Sequence, residues 1–338
     1  MTRPDDEDQP STDADEAPPA VTRSVEVFVE RDDGSSIFVR DMGESRGRAI
    51  LILDGIGCSG WAFRRILPSL AQSHRVLLMH YRGHGRSPDP PRPWHLSMPD
   101  LADDAAAVLQ SRGVESAIVV GFSMGFQVAL ELYRRHGDRV AGLVDLAGPS
   151  GKALATFQGT DVFSHMLPLL RATIRHAQDF TRRLWRSVVP TTWIAELGAI
   201  TRQLNFDRLR DEDFQIYLDQ MAAMNPEIFF EMLGEASRHT AEDLLPQIRV
   251  PTLVVAGAHD RFVPLSTLRG IAFAIPDAQW VVIEHGTHAL PAEYPDEVGE
   301  ALRGFIATVP AVAAKPSPAV AAEPSLADAR APAHESAE

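Results

Sequence analysis

Apolar residues along this chain alternate between two rhythms. Short, nearly unbroken apolar blocks read as buried strands, and stretches with apolar positions three or four apart read as helices. The strand blocks are "AILILD" (49 to 54), "RVLLMH" (75 to 80), "AIVVGF" (117 to 122), "VAGLVDL" (140 to 146), "TLVVAG" (252 to 257) and "QWVVIE" (279 to 284). Ahead of them, "VEVFVE" (25 to 30) and "SIFVRD" (36 to 41) flank Asp33-Gly34 and predict an opening hairpin. Helical stretches separate the later strands. One opens at Ser97 with Asp100 three residues on, the spacing of a capping box. Strands alternating with helices predict an α/β fold, a mainly parallel sheet flanked by helices.

The alternation stops between about Pro149 and Gln247, a length too great for a loop, and the pattern there is helical. The expected organisation is therefore a core over 24–149 and 248–308, with a helical cap inserted over 150–247. Residues 1–23 are acidic and Pro-rich, and 309–338 are Ala/Pro/Ser-rich, so both ends are expected to be disordered tails. No internal repeat is visible.

Composition narrows the function. The formal net charge is −14, which argues against a nucleic-acid partner, because a phosphate backbone demands clustered Lys and Arg. Seven acidic residues against two basic ones between Arg3 and Arg23 place much of that charge outside the expected folded part. Cys58 is the single cysteine, so no intramolecular disulfide can form. No apolar run approaches the roughly 20 residues of a membrane helix, and the first residues lack an apolar leader. The reading is a soluble, cytoplasmic protein; oligomeric state is left open.

Two glycine motifs carry the candidate chemistry. Gly55, Gly57 and Gly60 stand in the spacing G-x-G-x-x-G after a strand, which fits either a dinucleotide turn or a turn whose backbone N–H groups stabilise an oxyanion. A dinucleotide site needs an acid at the end of the next strand, and that strand ends in Met79-His80-Tyr81. The second motif is Gly121-Phe122-Ser123-Met124-Gly125, between a buried strand and an amphipathic helix. A nucleophile at such a strained turn needs neighbours without Cβ atoms; the bland alternative makes Ser123 a helix N-cap.

With that motif in place the chain resembles the α/β-hydrolase fold family over most of 24–308. The resemblance extends to "YRGHGRS" (81 to 87), to Asp260 after a strand in "TLVVAGAHDRFVP", and to His288 after the last strand in "EHGTHALPAEYPDEV". It implies a catalytic triad with Ser123 as nucleophile, His288 as base and Asp260 as the orienting acid, in the family's order. Asp145 is the rival acid, His285 the rival base, and His84 is expected to order its own loop. The family also implies an oxyanion hole formed by the backbone N–H groups of Ile56 and Met124. Gly55 and Gly57 would shape that turn. Where relatives commonly carry His-Gly this chain has Asp54-Gly55, and Phe126 replaces a frequent glycine after the elbow. Asp54 is expected to turn away from the reacting oxygen, held by its own loop's N–H groups or by Arg82 or His84, with asparagine preserving the same shape. Cys58 is expected to be a small packing residue.

The insertion offers apolar bulk in "FSHMLPLL", Trp185, Trp193-Ile194, "YLDQMAAM" and "EIFFEML", most of it helix-packing core and some of it pocket wall. Arg171, Arg175, Arg182 and Arg186 fall on one face of an expected long helix, read as a solvated face. The functional expectation is a serine esterase that cleaves an ester-type bond of a small, largely apolar acyl substrate, without metal or organic cofactor. An acyltransferase using the same acyl-serine, and a non-catalytic ligand-binding protein on the same scaffold, are the alternatives.

Overall fold

The computed structural model describes residues 23–44, 48–151, 171, 173, 174, 176–189 and 204–310. Eight strands form one sheet: β1 (Ser24–Glu30), β2 (Ser36–Met42), β3 (Ala49–Leu53), β4 (Val76–Met79), β5 (Ala117–Phe122), β6 (Val140–Leu146), β7 (Thr252–Gly257) and β8 (Gln279–Ile283). Their spatial order is β1-β2-β4-β3-β5-β6-β7-β8. The β1–β2 and β2–β4 pairs are antiparallel, and every pair from β4 to β8 is parallel. Every residue of β4, β5 and β7 is buried, which is why these strands read as unbroken apolar runs rather than alternating ones. Edge strand β1 is largely exposed and alternates. The opening hairpin turns at Gly34, whose φ of 80° lies in the left-handed region that favours glycine.

The helices are α1 (Leu67–Ser73), α2 (Met98–Ser111), α3 (Met124–His136), α4 (Gln178–Val188), α5 (Asp211–Ala223), α6 (Pro226–Arg238), α7 (Leu265–Ala274), α8 (Leu290–Glu293) and α9 (Pro295–Thr308). Helix α2 packs on α3, and α1 on α9, flanking the sheet. The capping box is present: Asp100 N donates to Ser97 Oγ at 3.4 Å, and Ser97 N donates to Asp100 Oδ2 at 3.0 Å.

Among the described residues between β6 and β7, regular structure is helical: α4, α5, α6 and a 3-10 turn over Glu242–Gln247. Gln127 of α3 anchors this segment by donating Nε2–H to the carbonyls of Gly151 at 2.9 Å and Ala236 at 3.0 Å. Several sequence expectations change or fall outside view. The arginine helix is interrupted at Ala177, whose φ of −126° and ψ of 44° place it outside the helix that starts at Gln178. Arg171 is also not on a free face, since its Nε donates to Glu231 at 3.0 Å. Val309, assigned above to the tail, is buried and packs beside Phe305 over Gly142. Residues 1–22, 311–338, "FSHMLPLL", Arg175 and Trp193-Ile194 lie outside the described residues.

Candidate active site

Parallel strands bring the candidate residues to one end of the sheet, because each sits at or just past a strand's carboxyl end. Asp54 follows β3, Ser123 follows β5, Asp145 closes β6, Asp260 follows β7 and His288 follows β8. Ser123 has φ 54° and ψ −123°, a sparsely populated conformation that costs about 1–3 kcal/mol for a residue with a Cβ. Its neighbours explain how the turn closes. A Cβ on Gly125 would lie 2.0 Å from the Leu53 carbonyl oxygen of β3, and one on Gly121 would lie 2.6 Å from the Phe126 backbone N. Both contacts are with backbone, which cannot move aside. Phe126 is fully buried and its N–H donates to the Ser123 carbonyl at 3.0 Å.

Three side chains form one hydrogen-bonded line. His288 Nε2 lies 2.9 Å from Ser123 Oγ, and His288 Nδ1 lies 2.9 Å from Asp260 Oδ2. An ionised carboxylate only accepts, so Nδ1 carries the proton and Nε2 is left to accept from the serine hydroxyl. The other oxygen, Asp260 Oδ1, accepts the N–H groups of Phe262 at 2.8 Å and Val263 at 2.9 Å. The imidazole stands between Phe122, 5.5 Å away, and Phe262, 4.8 Å away.

The rival residues are occupied elsewhere. Asp145 is fully buried; its Oδ1 accepts from Gly148 N at 2.7 Å and its Oδ2 has no partner among the described residues. Burial first, and the charge of Asp260 as well, push its carboxyl well above the usual range despite the Gly148 bond. His285 faces His259, with ring centroids 6.1 Å apart, and hydrogen-bonds neither Ser123 nor Asp260 among the described residues. His84 is buried with Nδ1 3.1 Å from the Arg82 carbonyl, and burial pulls its pKa down to about 4.

The Gly55–Gly60 turn sits beside this line. Gly57 has φ 73° and Gly60 φ 95°, so both use the left-handed freedom of glycine. Neither the Ile56 N–H nor the Met124 N–H donates to a backbone or side-chain acceptor among the described residues. Asp54 is 1% exposed and bridges its own turn: Gly55 N donates to Oδ1 at 2.8 Å and Gly60 N to Oδ2 at 2.6 Å. Burial raises its pKa to about 6 against these two bonds. The cations suggested by the sequence are not its partners. Arg82 instead donates to Asp104, at 2.6 and 2.7 Å, and pairs with Asp33. Cys58 is buried; Trp61 Nε1 donates to its Sγ at 3.1 Å, and burial pushes the thiol up, so it stays protonated.

Sequence reading missed Glu293. It is 3% exposed and accepts the Thr287 N–H at 3.0 Å and hydroxyl at 2.5 Å, and it also takes the Asn205 N–H at 2.7 Å. One carboxylate thus ties the residue before His288 to Asn205 within the inserted segment. A lone acid in the apolar stretch "HALPAEYP" was the available signal. Among the described residues no three His, Cys, Asp or Glu side chains converge as a metal site, and no helix is long and apolar enough to cross a membrane.

Comparison with known proteins agrees with this fold. The sequence profile described as alpha/beta hydrolase fold matches residues 48–189 and 194–294. A protein of Azorhizobium caulinodans, whose name RutD provisionally marks it a carbamate hydrolase, is 31% identical over 270 residues, covering 78% of this chain and 92% of that one. A pimeloyl-[acyl-carrier protein] methyl ester esterase of Aeromonas hydrophila is 26% identical, covering 80% of this chain and 99% of the other. Among solved structures, the esterase RhEst1 of a Rhodococcus species superposes with a TM-score of 0.68 at 26% identity, over 85% of this chain and 99% of that one.

Proposed function

Since the chain belongs to the α/β-hydrolase fold family, we propose that it is a serine hydrolase that cleaves an ester-type bond of a small, largely apolar acyl substrate. The observation that carries this reading is the continuous line from Ser123 Oγ through His288 to Asp260, both links 2.9 Å long. Names of the relatives support the reaction class: an esterase for acyl-carrier-protein methyl esters, a carbamate hydrolase and a Rhodococcus esterase all break an acyl bond.

The mechanism follows from the donors and acceptors. Ser123 Oγ attacks the acyl carbon while its proton passes to His288 Nε2, and Asp260 stabilises the imidazolium through Nδ1–H. The carbonyl oxygen becomes an oxyanion, for which the unused N–H groups of Ile56 and Met124 are the fitting donors. Collapse expels the alkoxide, which takes the proton from His288 and leaves an acyl-Ser123. Water, deprotonated by the same imidazole, then attacks the acyl carbon and releases the carboxylic acid and the free serine.

A fluorophosphonate probe read by intact mass, together with turnover of aryl esters, tests this. One adduct at Ser123 and turnover that falls by about 10⁶ in Ser123→Ala are the expected results. Near wild-type turnover in that variant overturns the serine mechanism. Product appearing on an added alcohol rather than on water gives the transferase form of the same acyl-enzyme, and absence of both adduct and turnover leaves a ligand-binding protein.

A further inference from the structure

Two helices of the inserted segment close on the turn that carries Ile56. Met221 of α5 puts its Sδ 2.1 Å from where a Gly57 Cβ would stand, so the methionine fills the space that glycine leaves open. Phe229 of α6 approaches the same point to 3.3 Å. Behind them Trp185 of α4 lies 5.5 Å from the Phe229 ring and donates Nε1–H to the Met221 carbonyl at 2.6 Å. That hydrogen bond satisfies the indole donor, so these three side chains turn only sulfur, methylene and ring surface toward the oxyanion turn. Ile56 and Phe229 are both partly exposed, as residues bordering an opening are, whereas Met221 behind them is 7% exposed.

We infer that Met221 and Phe229, braced by Trp185, form the wall of the acyl-binding site and limit the length of an apolar acyl chain. The inference rests on the serine-hydrolase reading above. A carbonyl oxygen held at the Ile56 N–H brings the adjoining acyl carbons against Met221 and Phe229. A polar or charged group set against these three side chains would lose its water and gain no hydrogen bond from them, a cost of about 1–3 kcal/mol for a neutral group. A methylene too many meets a well-braced ring cluster, and such steric discrimination is worth about 10- to 200-fold per group. The substrate class is therefore an ester of a short apolar acid.

The test compares kcat/KM for p-nitrophenyl acetate, butyrate and octanoate in the wild type and in Met221→Ala, Met221→Leu and Phe229→Leu. The octanoate-to-acetate ratio is expected to rise by about 10-fold or more in Met221→Ala and to return toward the wild-type value in Met221→Leu, which restores the bulk. Phe229→Leu should raise the ratio too, and it carries the test if Met221→Ala does not fold. An unchanged ratio in every folded variant, with Ser123 still labelled by a fluorophosphonate, overturns the wall. A shift seen only when the alcohol is lengthened, in an alkyl acetate series, assigns these residues to the leaving group and overturns the acyl assignment. Loss of labelling and turnover in the wild type itself defeats the hydrolase reading instead.

Discussion

At Asp260 and Asp145 two carboxylates have different environments, and under the proposed function that difference predicts different responses to substitution. Asp260 receives two backbone N–H bonds and faces His288, whereas Asp145 receives one and burial pushes its carboxyl well above the usual range. Asp260→Asn should lower kcat by about 10⁴, because an amide that donates to Nδ1 imposes the wrong tautomer. Asp145→Asn, which keeps an acceptor for Gly148 and carries no new charge, should change kcat less than about 10-fold in the same steady-state assay. Asp54 invites a different argument. Both of its oxygens accept an N–H, so an asparagine satisfies one and sets its NH₂ against the other, contrary to the expectation that it preserves the turn. Asp54→Asn is expected to lose about 10-fold in kcat/KM and Asp54→Ala about 10- to 1000-fold, as the Ile56 donor drifts from the developing oxyanion. Kinetics with a short aryl ester, read beside the melting temperature of each variant, check both.

Short elements around the base depend on one buried acid. The loop after β8 is held by Glu293 at the end of α8, which accepts both polar hydrogens of Thr287 and the Asn205 N–H. Burial raises the Glu293 carboxyl, and the Thr287 and Asn205 bonds oppose that rise. Replacement by glutamine leaves one of the three donors facing an NH₂ group. Glu293→Gln should therefore lower kcat by about 10-fold with little change in KM, since a small displacement of His288 misaligns the proton transfer without touching the acyl wall. The donor left facing the amide is the Thr287 N–H, because the Thr287 hydroxyl and the Asn205 N–H share the other oxygen; an equal rise in KM in this variant would place the effect in the pocket instead.

Over the whole molecule, buried histidines contribute to the response to acid. Burial lowers His80 to about 3, with His84, Arg40 and Arg86 adding to the effect, and burial lowers His84 to about 4. Both rings stay neutral in the folded protein below pH 6.5, while the unfolded chain takes up the protons. Their contribution to stability is present above about pH 6.5 and is lost as pH falls toward about 4. Asp54, raised to about 6, acts the other way: its contribution is present below about pH 4 and is lost as pH rises through about 6. Asp145 and Glu293, which burial also raises, act in the same sense as Asp54, so the histidine contribution is read from a histidine variant. Acidification from pH 7 to pH 4 is expected to cost His80→Gln less in melting temperature than it costs the wild type, since the glutamine carries no group that protonates on unfolding and its side-chain oxygen can still accept the Arg86 N–H that Nδ1 takes at 3.0 Å. Calorimetric scans at half-unit pH intervals measure the difference.

Sequence by itself determined the order of strands and helices, because burial on both faces writes β4, β5 and β7 as unbroken apolar runs. It also determined the elbow glycines, since Gly121 and Gly125 stand where a Cβ would strike backbone within 2.6 Å. Ser123, Asp260 and His288 could be singled out because parallel strands deliver their carboxyl ends to one rim. Only the tertiary structure decided which carboxylate meets the imidazole, for Asp145 and Asp260 close adjacent strands and differ in the partners that reach them from elsewhere. It decided likewise that Asp54 is held by Gly55 and Gly60 rather than by Arg82, and that Glu293 and Met221 belong beside the site. Those assignments depend on side-chain contacts between segments far apart in the chain: Met221 lies far from Gly57 in sequence, and no local pattern records that the two touch.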